Sequence, residues 1–236
     1  MNPNAGLVGT ARKLVRKLGY DVVHHQDFGV LLRHLAIDLL IDVGANEGQT
    51  RDKVRLSGYQ GPIVSFEPHP ECFQRLSSRP DEFQNWRRLN IPLGLEDKDD
   101  LLYFGHTTNQ ASLSTGALSG PQYGSIPVRV RSLDSLWPEL GLDAYQRSFL
   151  KIDAEGLDFQ ILKGARNRFD RIAGGMVELR PIPEYSAESP MVEVLSFLSE
   201  NGFVVCRIDL ATFDTQTGVG TSFDVTFCKW SILKKP

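Results

Sequence analysis

Residues 39–48, Leu-Leu-Ile-Asp-Val-Gly-Ala-Asn-Glu-Gly, read as a buried strand that stops abruptly in a glycine-punctuated turn. Asp42 sits near the strand's last position, and Gly44 and Gly48 bracket the polar Asn46. Glycines at such a turn let the backbone fold tightly and let a ligand approach without meeting a β-carbon. A helix is expected from about Glu47 to Ser57, ended by Gly58, and a second apolar strand over 62–66 then closes on Glu67-Pro68. A carboxylate at the end of the second strand, roughly 20 residues past a Gly-rich first turn, is where a ribose diol is gripped in dinucleotide-type folds. The two features together imply a parallel α/β sheet with a nucleoside-containing cofactor over the carboxyl ends of its strands.

The rest of the chain extends that pattern. A helix starting near Pro70 carries Phe73 and Leu76 inward, a third strand lies within Phe83–Leu93, and Leu101–Phe104 forms an extra short strand. Residues 105–125 are rich in Gly, Ser and Thr without periodicity and read as a long loop, a feature that is often functional inside a compact domain. Val128–Val130 alternates with polar neighbours, and Ser132–Leu136 begins a short helix. Phe149-Leu150-Lys151-Ile152-Asp153 is a further core strand ending in a carboxylate, followed through Ala154-Glu155-Gly156 by a helix using Leu157, Ile161, Leu162 and Ala165. Met176–Leu179 is the fifth main strand. Ser189-Pro190 caps a helix with Pro at its first position. Val204–Ile208 and Val225–Ile232 are the last strands, joined by a connection too short for a crossover helix, which requires an antiparallel pair. Residues 5–18 place Leu7, Val8, Ala11, Leu14, Val15 and Leu18 on one helical face opposite Arg12, Lys13, Arg16 and Lys17. That helix packs on the domain edge or makes a peripheral membrane or partner contact. The division expected is a helical extension over 1–36 and one domain over 37–236.

At 236 residues and 41% hydrophobic content the chain suits one α/β domain with a sizeable core. A formal charge of −3 argues against nucleic-acid binding by general electrostatics. No apolar run approaches the ~18 residues that span a bilayer. No signal-peptide pattern is present, and Cys72, Cys206 and Cys228, without C-x-x-C spacing, read as core or near-surface residues of a cytoplasmic protein. His24, His25, His34 and His69 read as surface residues, and Trp86, Trp137 and Trp230 as packing residues.

The strings IDVGANEGQT, SFEPHPECFQRL and FLKIDAEGLDFQILKGA, in that order, closely resemble the FkbM-type family of class I S-adenosylmethionine (SAM) methyltransferases, over about residues 37–180. The resemblance implies a three-layer, Rossmann-like fold with a mostly parallel seven-stranded sheet and an antiparallel last strand. It assigns Asp42, Gly44, Asn46 and Gly48 to the loop beneath the methionine part of SAM, and Glu67 to the ribose hydroxyls. Asn90-Ile91-Pro92-Leu93-Gly94 falls near the adenine, with Pro92 departing from the family's small-residue pattern. Asn109-Gln110-Ala111-Ser112 corresponds to a polar loop near the active site, and Asp153, Glu155 and Gly156 to the family's lysine-isoleucine-aspartate-x-glutamate-glycine string. Glu178 matches the acidic end of the fifth strand. Asn109, Ser112 and Glu178 are thereby candidates for contact with the acceptor. The implied acceptors are hydroxyl oxygens of sugars, glycolipids and polyketide-like metabolites.

Methyl transfer to an alcohol gains from a base that takes the hydroxyl proton, by roughly 100- to 10,000-fold. Asp153 at a strand end, Glu155 at the following helix start and His106 in the long loop are the three candidates; no metal is required. Two other readings stand beside this one. A nicotinamide-dependent oxidoreductase would use the same sheet, although Gly44-x-x-x-Gly48 does not give G-x-G-x-x-G. A non-catalytic scaffold would keep the fold and bind SAM only structurally, or not at all.

Overall fold

The computed structural model describes residues 27–104, 111–113 and 124–233, together with Val15 and Lys17. Val15 and Lys17 are helical; the rest of the expected N-terminal amphipathic helix lies outside the described residues.

The strands that read as unbroken apolar runs form the centre of a seven-stranded sheet. In chain order its members are β1 (Leu39–Val43), β2 (Ile63–Phe66), β3 (Trp86–Leu89), β8 (Ser148–Ile152), β9 (Ile172–Leu179), β10 (Phe203–Phe213) and β11 (Gly220–Lys229). Their spatial order is β10-β11-β9-β8-β1-β2-β3. β1 pairs in parallel with β2 and β8, and β11 runs antiparallel between β9 and β10. Every residue of β1, β2 and β8 is buried, as expected for parallel strands covered on both faces.

Alternation along those strands feeds two core layers. Leu39, Ile41, Val43, Leu150 and Ile152 pack with Phe159, Leu162 and Leu198 on one face. Leu40, Ile63 and Phe149 pack with Leu32, Val54 and Trp86 on the other. The helices Gln49–Leu56 and Pro70–Ser77 thus cover one face, and Asp158–Lys163 and Met191–Glu200 the opposite one. The core starts before residue 37, because helix Phe28–His34 contributes fully buried Leu32. Among the described residues no helix is long and apolar enough to cross a membrane.

Several boundaries differ from those read in the sequence. The final strand ends at Lys229, and Trp230–Leu233 turns helical. Pro190 is the residue capping helix Met191–Glu200, with extended backbone, rather than its first helical position. The extra strand at 101–104 lengthens to β5 (Lys98–Phe104) because it pairs with β7 (Gly124–Ser132) from Lys98↔Val130 to Phe104↔Gly124. With β4 (Leu93–Gly94) and β6 (Ala111–Ser112) these form a second sheet in the order β4-β7-β5-β6. The stretch read as a long loop therefore carries strand structure at Ala111–Ser112, while 105–110 and 114–123 lie outside the described residues. Asp97 fastens this sheet to the domain: its carboxylate accepts from Ser132 N (2.8 Å) and Ser135 Oγ (2.6 Å) at the start of helix Leu133–Glu139.

His69 is buried rather than a surface residue. Its Nδ1 accepts from Glu71 N at the start of helix Pro70–Ser77, and its ring meets Phe104 edge-on. Trp86 and Trp137 are packing residues, whereas Trp230 is half exposed.

Candidate cofactor and active site

The registers Val43↔Phe66 and Val43↔Ile152 end β1, β2 and β8 at one level. The residues that follow them, Gly44, Glu67 and Asp153, consequently meet at the mouth of one crevice. β1 sits between β2, which follows it in the chain, and β8, so the crevice lies where the strand order reverses, the usual ligand position in open α/β sheets. A cavity of about 500 Å³ opens there, walled by Val43–Asn46, Glu67, Ile91–Leu93, Ser112 and Asp153–Glu155 among others.

The turn after β1 is fixed by close approach. Gly44 has φ +71°, and a β-carbon on it would lie 1.8 Å from the Asp153 carbonyl oxygen, so only glycine lets the β1 and β8 tips touch. Asn46 is left-handed at φ +47°, which aims its amide at Glu67 Oε2, 2.6 Å away. His69 N donates to Glu67 Oε1 at 2.8 Å. Glu67 is only 6% exposed. Burial pushes its carboxyl above the ordinary range while the two amides pull it back. Each oxygen keeps a further lone pair for a donor in the cavity. Asn46 Oδ1 is buried with no hydrogen-bond partner among the described residues. Asn90 does not line the cavity; its amide donates to Glu67 O (2.8 Å) and Pro68 O (3.0 Å) and so fixes the chain after β2. Gly48 (φ +93°) lies behind the turn, against the Trp86 ring.

Lys151 joins the tips electrostatically. It is buried at the next-to-last position of β8, with Nζ 3.3 Å from Asp42 Oδ1 and 3.4 Å from Asp153 Oδ2. It also donates to Val43 O and Gly44 O, both at 3.3 Å. Burial alone would lower the lysine pKa, but the two carboxylates override it and hold the ammonium above its ordinary value. Burial pushes the Asp42 carboxyl up and Lys151 opposes it. Four oxygens surround the one ammonium, which favours its charged form. Ser65 Oγ donates to Asp42 Oδ2 (3.4 Å) and itself accepts from Trp86 Nε1 (2.9 Å). Sequence reasoning gave Lys151 no role. The available signal was a lysine inside an apolar strand, since lysines are rarely fully buried unless paired.

Asp153 presents its side chain to the cavity at 50% exposure. Glu155 also reaches the wall, from a left-handed backbone at φ +46°, but its carboxylate accepts from the Tyr185 hydroxyl and lies 3.6 Å from Arg180. Ser112 Oγ donates to Glu155 O at 3.0 Å, tying the edge of the second sheet to the site. Glu178 stays off the cavity, paired with Arg180 at 3.0 Å, and its carboxyl is pushed up by burial. Arg180 further meets Glu184 and Glu188. His106 and Asn109 lie outside the described residues. Among the described residues no group of three or more His, Cys, Asp or Glu side chains is arranged to hold a metal ion.

Two cavity residues, Arg207 and Asp224, come from β10 and β11 and carried no motif in the sequence. Asp158, also unremarked there, opens the helix after β8; burial, then repulsion from Asp153 and Glu178, pushes its carboxyl from 3.8 to about 8. A carboxyl raised on folding contributes stability that is present below its unfolded pKa and is lost as pH rises through the folded one. Asp158→Asn should therefore flatten the decline in melting temperature between about pH 4 and pH 8; an unchanged slope in thermal melts would contradict the assignment. Lys151→Met leaves Asp42 buried without its cation and should lower stability by about 3–5 kcal/mol in denaturant titration.

Residues 42–205 match the family described as Methyltransferase FkbM domain. No curated protein sequence matches the chain. Among solved structures, magnesium protoporphyrin IX methyltransferase (ChlM) from Synechocystis PCC 6803 with bound SAM is 9% identical, covering 95% of this chain and 80% of that one with a TM-score of 0.49. The putative RNA methyltransferase PH1948 from Pyrococcus horikoshii is 13% identical, covering 85% and 79%, with a TM-score of 0.46. TrmK from M. capricolum in complex with S-adenosylhomocysteine (SAH) is 8% identical, covering 88% and 70%, with a TM-score of 0.47. The family match takes in the turn after β1, the Glu67 strand end and the Lys151–Asp153 strand end, and it sets the nicotinamide reading aside. This chain belongs to the FkbM family of SAM-dependent methyltransferases.

Proposed function

We propose that this chain methylates a hydroxyl oxygen of a sugar or glycan, a glycolipid or a polyketide-like metabolite. The observation that carries the reading is Asp153, a half-exposed carboxylate on the cavity wall that is oriented from behind by Lys151. SAM, when bound, supplies a methyl carbon attached to a positively charged sulfur that leaves readily. The residues present suit that cofactor. Glu67 offers spare lone pairs to a ribose diol, and Asn46 Oδ1 is a buried acceptor that needs a donor. Ile91, Pro92 and Leu93 supply an apolar wall for an adenine.

With the cofactor held on the β1 and β2 side, the acceptor lies toward β8. Asp153 receives the hydroxyl proton as the oxygen becomes nucleophilic. Lys151 keeps that carboxylate aimed, because rotating it away would break the 3.4 Å contact with the buried ammonium. Glu155 is the weaker candidate for the base, since the Tyr185 hydroxyl and Arg180 already claim its carboxylate. It holds the β8 turn in shape instead. Ser112 fastens the second sheet to this turn.

The test is a panel of glycosides, glycolipids and polyketide-like alcohols incubated with methyl-labelled SAM. Label recovered as a base-stable methyl ether supports the reading. Label on nitrogen or carbon, or no transfer to any acceptor, overturns it, the last outcome favouring a non-catalytic SAM-binding role. With an acceptor in hand, Asp153→Asn should lower kcat about 100-fold or more while SAH affinity stays within a few-fold. Unchanged kcat removes Asp153 as the base.

A further inference from the structure

The hairpin that completes the large sheet brings two thiols together. Cys206 on β10 and Cys228 on β11 have sulfurs 3.3 Å apart. The ladder pairs Val205 with Phe227 and Arg207 with Thr226, so Cys206 occupies a bulge with no residue opposite it. A bulged residue is released from the ladder's register, and its side chain can be re-aimed at little cost. Cys206 is exposed and Cys228 is buried in the core layer that contains Leu40 and Phe149. Cys206 therefore lies on the solvent side of the pair and Cys228 on the core side.

We propose that Cys206 and Cys228 are a reversible dithiol that takes a peroxide as substrate and closes to a disulfide. The Cys206 thiolate attacks one peroxide oxygen, the O–O bond breaks, and the departing hydroxide takes a proton to become water. The product is a sulfenic acid on Cys206. The Cys228 sulfur, having lost its proton, attacks the Cys206 sulfur; the S–S bond forms, the S–O bond breaks, and a second water leaves. Two thiols lose two electrons and one peroxide becomes two waters.

The local environment suits both half-steps. Cys206 Sγ donates to Thr226 O at 3.4 Å and shares a hydrogen bond with Cys228 Sγ; that shared bond, with the neighbouring Arg207 charge adding to it, lowers the Cys206 thiol pKa against the opposing effect of burial. Cys228, pushed up by its bond to Cys206 and by burial, stays a protonated resolving thiol until the sulfenic acid forms. A disulfide requires about 2 Å between sulfurs, so the pair must close by about 1.3 Å, a shift the bulge can absorb. The cross-link would tether the residue beside Arg207, which lines the cavity, and so would stiffen that part of the wall.

The experiment uses the full chain, fully reduced, freed of reductant and exposed to about an equal amount of hydrogen peroxide, then alkylated under denaturing conditions. Trypsin cleaves after Arg207 and Lys229 and puts the two sulfurs on separate peptides. The expected result is a linked peptide pair lacking two hydrogens, separated again by dithiothreitol, with Cys72 still alkylated. Cys206→Ser should give no linked pair, and Cys72→Ser should give the same yield as the parent. The closed form should melt several degrees higher than the reduced form, since the bond closes a long hairpin loop. The proposal is overturned if Cys206 accumulates as sulfinic or sulfonic acid while Cys228 remains alkylatable. It is equally overturned if both cysteines stay reduced at about a tenfold excess of peroxide.

Discussion

A single buried cation holds the working end of this fold together. Lys151 stands between the β1 tip, through Asp42 and the Val43 and Gly44 carbonyls, and the β8 tip, through Asp153. Desolvating a lysine and a carboxylate is unfavourable by several kcal/mol per ion, so the arrangement persists only because four oxygens answer one ammonium. The contact of Gly44 with the Asp153 carbonyl depends on the same alignment. Strand tips fixed in this way cannot splay, and a cavity between them keeps its shape before any ligand arrives, which lowers the ordering that binding would otherwise require.

Glu67 shows a second form of preorganisation. A carboxylate buried at a strand end would be costly without hydrogen-bond partners. Here the left-handed Asn46 and the residue after Pro68 each send a backbone amide to one of its oxygens. The charge is satisfied from behind, and the front of the carboxylate remains for a ligand. Arg180 does comparable work beside the β8 turn: it gathers Glu155, Glu178, Glu184 and Glu188, and so fixes that turn to the segment after β9.

The legibility of these features in the sequence followed their physics. β1, β2 and β8 are buried on both faces, so their apolar runs and the carboxylates that end them could be read directly. β5 and β7 owe their length to each other, and no local pattern reports a pairing register. Lys151 looked like part of a string because its partners other than Asp153 lie on β1 and the turn after it, 109 positions away in the case of Asp42. Asp224 and Arg207 reach the cavity only through the antiparallel insertion of β11. The proximity of Cys206 and Cys228 depends on a bulge that has no sequence signature. His69 read as a surface residue because its burial arises from contact with Phe104 in the second sheet.

In the proposed function, three strand tips form a preorganised adenosyl site in which Glu67 holds the sugar. Calorimetric titration of SAH into the parent protein and into Glu67→Ala tests this most directly. Saturable binding by the parent is expected, with affinity weakened about 10-fold or more in a variant that is still folded by circular dichroism. Equal affinity for both proteins, or no binding by the parent, would contradict it.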